Sequence, residues 1–324
     1  PIVVGAGPAG LFAALILARA GQKPILLERG RPVEQRQRDV EAFFRTGRLD
    51  PRSNVQFGEG GAGAFSDGKL NTGTKDPRGE HILRTFVRFG APHDILIDAK
   101  PHIGTDKLCG VVKAMRTRII ELGGEVHFGA RLTEVLHKDG RVAAVRYEDG
   151  QGGHELLAEA VVLAIGHSAR DTFESLLAGG VTLVQKPFSI GARIEHPQSL
   201  INASQYGAAA GHPALGSADY KLALHLPSGR SVYTFCMCPG GTVVAAASEP
   251  ESVVTNGMSY YARDGVNANS ALLVGVGPED FGSEHPLAGM FLQREIERRA
   301  FVLGGRSGKA PCQTVGDLLA GRAS

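Results

Sequence analysis

Glycines stand at positions 5, 7 and 10 of this chain, and a glutamate follows at position 28. GxGxxG suits contact with a pyrophosphate: the first glycine permits a tight turn, the second lets backbone approach the phosphates, and the third allows a helix to pack closely on a strand. A carboxylate about 20 residues further on is placed to accept hydrogen bonds from ribose hydroxyls, and its charge disfavours a 2′-phosphate. This chemistry needs a strand–turn–helix–strand unit, and PIVVGAGPAGLFAALILARAGQKPILLER supplies one. It predicts a buried strand over 2–4, a helix over 8–20 whose N-terminus faces the phosphates, and a second strand over 24–27 ending at Glu28.

A second glycine-rich stretch, FGEGGAGAFSDGKLNTG over 57–73, is punctuated by Phe57, Phe65 and Leu70. Glycines set between apolar anchors predict a loop that lays its backbone against a ligand, not a flexible linker. Lys69 in this loop has two readings: a cation beside the redox-active end of the ligand, or one paired with Asp67 away from it.

Composition narrows the class. With 324 residues, 43% hydrophobic and 21% charged, the chain can bury a large core and predicts two domains. Its net charge of +2 comes from 35 basic and 33 acidic residues without a basic block, so neither nucleic acid nor a membrane is an expected partner. The longest apolar run, LFAALILA, is far shorter than a bilayer span. Four cysteines and no visible secretory leader predict a reducing, cytoplasmic setting. No cysteine–histidine spacing suggests a metal site.

Both NAD and FAD fit the fingerprint. The order of elements that follows favours FAD: a basic helix over 32–48, the glycine loop, a helix over 105–122, the strand EVHF, a meander with its turn at Asp139–Gly140, and the strand EAVVLAIGH, whose end at Ala164, Ile165 and Gly166 again exposes backbone. This order resembles the glutathione-reductase-type FAD fold. The phrases GGAGAFSDGKLNTG, VVLAIGHSARDTF, KPFSIGARIEHPQ, TFCMCPGG and NGMSYYARDGVNANSALLVGV resemble a bacterial family of FAD-dependent dehydrogenases.

The resemblance implies an α/β protein: a Rossmann-like FAD-binding domain over 1–183 interrupted by a mainly β substrate or cap domain over 184–324. It implies FAD contacts from Gly5, Ala6, Gly7, Pro8, Ala9, Gly10, Glu28, Arg29, Gly60, Gly61, Ala62, Gly63, Ser66, Gly68, Lys69, Val135, Ala164, Ile165 and Gly166. Such flavoproteins close with a late second glycine motif that touches the flavin. GRSGKAPCQTVGDLLAGRAS over 305–324 reads instead as a loop and the start of a helix, so the expectation is a fragment with part of the flavin pocket, and part of the cap domain, outside it. VGVGPEDFG over 274–282 has Asp280 where a third glycine would stand, so NAD(P)H is expected, if at all, as a transient reductant without a second Rossmann unit.

Lys69, His167 and His196 are the candidate catalytic groups, since hydride loss from a substrate needs a proton acceptor within hydrogen-bond reach; structural roles compete for each histidine. Arg193 and Arg263 could hold a substrate anion or simply pair with acids. Cys236 and Cys238, read as a regular strand, share one face with Met237 opposite. They fit a dithiol exchanging electrons with a flavin, but a disulfide across one residue would be strained, and the alternative is two small buried hydrophobes. The leading functional expectation is an FAD-dependent oxidoreductase transferring a hydride to or from an unidentified small organic molecule. The alternative is a flavin-binding RNA-modification or regulatory protein, which the near-neutral charge disfavours. Oligomeric state is not legible.

Overall fold

The computed structural model describes residues 1–323. β1 (Ile2–Val4) enters α1 (Pro8–Arg19) through the first glycine turn and β2 (Ile25–Glu28) follows. Pro8 at the first helical position presets φ, and Gly21 at φ 73° ends the helix in the left-handed region. α2 (Val33–Thr46), a 3₁₀ turn over Gly61–Phe65, α3 (Arg78–Arg88) and α4 (Thr105–Glu121) lead to β3 (Glu125–Phe128). The meander β4 (Arg131–Lys138), β5 (Arg141–Asp149) and β6 (Gly152–Leu157) turns through Asp139 and Gly140, both at positive φ, then β7 (Val161–Leu163) and α5 (Arg170–Ala178) complete the half.

Strands β3-β2-β1-β7 form one parallel sheet. Its central strands β1 and β2 are short apolar runs because both faces are covered, whereas Val162 and Leu163 of the outer strand β7 are exposed. On one face Leu11, Leu15 and Ala18 of α1 pack with Val112, Met115 and Ile119 of α4 against Val3 and Leu26. On the other, Leu132, Val145 and Tyr147 of the meander cover Ile2, Val4 and Leu27. Leu15 is fully buried, and Leu15→Ala would cost about 2–5 kcal/mol by leaving a cavity in the first layer.

The rest of the chain builds on β8 (Phe188–Pro197), α6 (Gln198–Tyr206), β9 (Ala223–His225), β10 (Ser231–Cys238), β11 (Thr242–Ala245), β12 (Thr255–Met258) and β13 (Asn267–Val276), followed by α7 (Ala288–Leu303) and α8 (Val315–Leu319). β8-β13-β10-β9 form an antiparallel sheet, and β11 pairs with β12. An FAD-type α/β half followed by a mainly β half is as expected; that the larger sheet of the second half is antiparallel throughout comes from the structure. Two elements were not legible: TNGM in β12 carries no apolar alternation, and α7 begins without an N-cap side chain. The two halves are tied by Arg170 at the start of α5, which donates to Glu249 at 2.9 Å and to Glu297 of α7 at 2.6 Å.

One expectation is corrected here. The strand reading of Cys236 and Cys238 assumed regular alternation, but the β10–β13 register shifts between Phe235 and Cys238, and Cys236 has φ 47°. A β-bulge inserts an extra residue and re-aims the side chains around it.

Candidate functional site

The fingerprint glycines have different jobs. A Cβ on Gly5 would lie 2.4 Å from the Ala164 carbonyl oxygen, and one on Gly10 would lie 1.8 Å from the Gly5 carbonyl oxygen. These two let β1, β7 and α1 touch. Gly7 is different: a Cβ there would meet only the Gly61 Cα, at 3.8 Å, and its φ of −71° suits any residue. Its glycine identity answers to no close protein atom. Gly7 is also the N-cap of α1, which has no side-chain cap and no acidic residue in its first turn. The helix N-terminus thus keeps free amide donors and positive potential, the two features that bind an anion.

Glu28 is buried at the end of β2, and its carboxylate ties the local chain together. One oxygen accepts the Ala6 amide at 2.7 Å; the other accepts the Gly30 amide at 2.8 Å and the Gly58 amide at 3.0 Å. Three backbone donors on a carboxylate leave room for one further hydrogen bond at its fourth lone-pair position. Sequence spacing foresaw a carboxylate at this point and not its bracing role.

The glycine loop packs on the fingerprint turn. The Gly60 amide donates to the Ala6 carbonyl at 2.8 Å, and Gly61, at φ 60°, leaves only 3.0 Å between an added Cβ and the Gly7 Cα. The loop is held from behind by Arg36, 0% exposed, whose guanidinium donates to the carbonyls of Asn54, Val55, Gly58, Glu59 and Gly61 at 2.6–3.2 Å and lies over the Phe65 ring. Burial lowers its pKa to about 10, opposed by the Glu28 and Glu59 carboxylates. Glu59 accepts the Val33 amide at 2.8 Å and pairs with Arg116, yet burial still holds its pKa above the ordinary value. Arg36 was missed from sequence. Its signal was there: Val33, Arg36, Val40 and Phe43 share the buried face of α2 at helical spacing.

Beyond the 3₁₀ turn, Pro8, Gly60, Gly63, Ser66, Gly68 and Lys69 line one side of a cavity of about 340 Å³, closed on the other by apolar side chains of α3 and α4. Lys69 pairs with Asp67, which is buried and also receives Arg263, whose Nε donates at 3.0 Å. Burial opposes ionisation of Asp67, but the Arg263 hydrogen bond and the Lys69 charge outweigh it and hold its pKa below 3.8. Lys69 therefore sits on Asp67 and lines the cavity at once. The cluster of two cations and one carboxylate carries a net positive charge.

Residues 2–170 match the FAD binding domain family, and residues 187–324 match the FAD-dependent protein, C-terminal domain-like family. The chain belongs to the FAD-dependent flavoproteins. It is 54% identical over 325 residues to an uncharacterized protein of Clostridium beijerinckii, covering 100% of this chain and 60% of that protein. The chain thus spans less than two thirds of that relative. It is 26% identical over 169 residues to digeranylgeranylglycerophospholipid reductase 1 of Methanopyrus kandleri, covering 52% of this chain and 40% of that protein. Among solved structures it is similar to a flavin-dependent brominase (TM-score 0.42, 14% identity, 97% of this chain and 64% of that chain). A flavoprotein/dehydrogenase from Cytophaga hutchinsonii is also similar (TM-score 0.39, 14% identity, 92% of this chain and 62% of that chain).

In this flavoprotein the residues expected to touch FAD, besides the buried Glu28, fall into three groups. Ala6, Gly7, Pro8, Ala9, Gly60, Gly61, Ala62, Gly63, Ser66, Gly68 and Lys69 lie on the fingerprint turn or the loop facing it. Gly5, Gly10 and Ala164 are packing contacts between backbones, while Ile165 and Val135 pack on the meander side of the parallel sheet. Arg29 donates to Asp171 and lies over the Phe57 ring at 4.5 Å, and Gly166, at φ 68°, has open space before it. The catalytic candidates do not form one group. His167 borders a smaller pocket with Lys186 and Phe281, and His196 is hydrogen-bonded to Tyr220 at 2.8 Å. Among the described residues there is no cluster suited to a metal and no helix long and apolar enough to cross a membrane.

Proposed function

We propose that this flavoprotein is an oxidoreductase in which FAD exchanges a hydride with a small or medium organic substrate, and that residues 184–324 form the unit that selects it. The observation that carries the reading is Gly7: the glycine of the fingerprint that no protein atom requires stands at an uncapped helix N-terminus, facing the glycine loop. Gly7, Pro8 and Ala9 with Gly60–Gly63 would hold the pyrophosphate, and the remaining acceptor position of Glu28 would take a ribose hydroxyl. When bound, FAD supplies a two-electron acceptor and donor; the chain orients it and sets the charge around it. Arg29, fixed by Asp171 and Phe57, would flank the adenosine side, and the Lys69–Asp67–Arg263 cluster the redox side.

The test is direct. The complete protein is purified, its visible spectrum recorded, and organic reductants, NADH and NADPH are screened by the rate of flavin bleaching. A yellow protein bleached by an organic substrate supports the reading. A protein that neither carries FAD nor binds it when supplied overturns it.

A further inference from the structure

Cys236 and Cys238 are free thiols in a setting that a pair of packing residues does not require. Two cations converge on one of them. The Lys69 ammonium lies 3.9 Å from the Cys238 sulfur, and Arg193 lies 3.9 Å from the same sulfur and donates to the Cys236 carbonyl at 3.0 Å. Arg193 is itself held in place by the side-chain oxygen of Asn269, 0% exposed, which accepts from its Nε at 3.0 Å.

The backbone is shaped for the same pair. In a regular strand, residues two apart have Cα atoms about 6.6 Å apart, near the outer limit for a disulfide. The bulge, with Cys236 at φ 47°, departs from that spacing, and strain of this kind in a non-glycine residue gathers at working sites. β12 passes close enough that a Cβ on Gly257 would lie 2.6 Å from the Cys238 sulfur and 2.3 Å from Arg193, so no side chain separates the sulfur from its cation. The two thiols are not equivalent: their mutual hydrogen bonding holds the Cys236 pKa below the ordinary thiol value and, together with burial, pushes that of Cys238 above it, so Cys236 is the readier of the two to ionise. Finally, Lys69 is shared: it touches Cys238 and also lines the cavity beside the glycine loop.

We infer that Cys236 and Cys238 form a redox-active dithiol that exchanges two electrons with the bound flavin through the site built by Lys69 and Arg193. This rests on the FAD reading above. In the oxidising direction the dithiol loses both sulfur-bound hydrogens and forms one S–S bond; two electrons and one proton pass to oxidised FAD, and the second proton leaves to solvent. The reverse step restores the dithiol.

The test is an anaerobic reductive titration of the FAD-loaded protein after full oxidation, with tryptic mapping of the cysteines. The expected result is uptake of about four electrons per flavin in the natural protein against about two in Cys236→Ser and Cys238→Ser, the couples being two-electron each. The peptide holding both cysteines should be lighter by two hydrogen atoms before titration and doubly alkylated after it. Flavin content of the two variants reports that they are folded. Uptake of only about two electrons by the natural protein, with both cysteines alkylated before titration, overturns the dithiol and leaves the FAD reading standing. Failure to bind FAD at all overturns both.

Discussion

The Glu28 carboxylate accepts the Gly58 amide at 3.0 Å across 30 residues of chain, and so joins the end of β2 to the glycine loop. With Ala6 and Gly30 on the same carboxylate, three segments that must surround one ligand share a single buried acceptor. Glu28→Gln keeps an oxygen for two of the donors but points an NH₂ at the third. The expected cost is about 1.5–3 kcal/mol in a denaturant melt, with a parallel loss of FAD affinity. A variant within about 0.5 kcal/mol of the natural protein would show that the brace is dispensable.

The fingerprint glycines should separate in mutagenesis. Gly7→Ala meets only Gly61, at 3.8 Å, so the fold should tolerate it while FAD binding weakens at least about tenfold, roughly 1.4 kcal/mol. Gly5→Ala and Gly10→Ala drive a methyl into carbonyl oxygens at 2.4 and 1.8 Å and should lose folded protein outright. Flavin titration and thermal melts of the three variants decide the matter. Equal melting losses for all three would contradict the distinction.

Arg36 makes five hydrogen bonds to loop carbonyls from a fully buried position. Lysine has three donors and no planar fork, so Arg36→Lys should cost about 3 kcal/mol or more and slacken the loop. Arg36→Ala should recover part of its FAD affinity on addition of guanidinium ion, which a purely steric role would not predict.

Asp67 gives the protein a signature in acid. Its pKa is held below 3.8 in the folded state, so its stabilisation is complete above the unfolded value and is lost as pH falls through the lower folded value. Stability measured below pH 3.8 should decline more steeply in the natural protein than in Asp67→Asn. At neutral pH that variant should lose about 3 kcal/mol, because Lys69 and Arg263 are left facing a neutral amide. Coincident pH profiles would place the acid sensitivity elsewhere.

Lys69→Met takes the Lys69–Asp67–Arg263 cluster from net positive to neutral while keeping much of the stem. Reduced flavin is the more negative form, so the expected change is a lower midpoint potential by roughly 20–45 mV, equivalent to about 1–2 kcal/mol. A potential unchanged within error in a variant that still binds FAD removes Lys69 from the flavin's surroundings.

The amino-acid sequence by itself determined the β-α-β fingerprint unit, the meander and the mainly β character of the second half. Each depends on short-range properties: glycine spacing at one turn, apolar runs as long as a strand, turn residues such as Asp139–Gly140. It also marked the glycine loop as a backbone surface, and the structure brings that loop against Gly7. Tertiary structure alone decided what each charged or reactive side chain does. Glu28 braces backbone because Gly58 is folded over it; Asp67 is neutralised by Arg263, 196 residues away; and Cys238 meets Lys69 across 169 residues. The bulge at Cys236 arises in the pairing of β10 with β13, a register that neither strand encodes alone. A buried charge takes its role from whichever partners the fold delivers to it, and those partners are set by long-range packing that local spacing does not record.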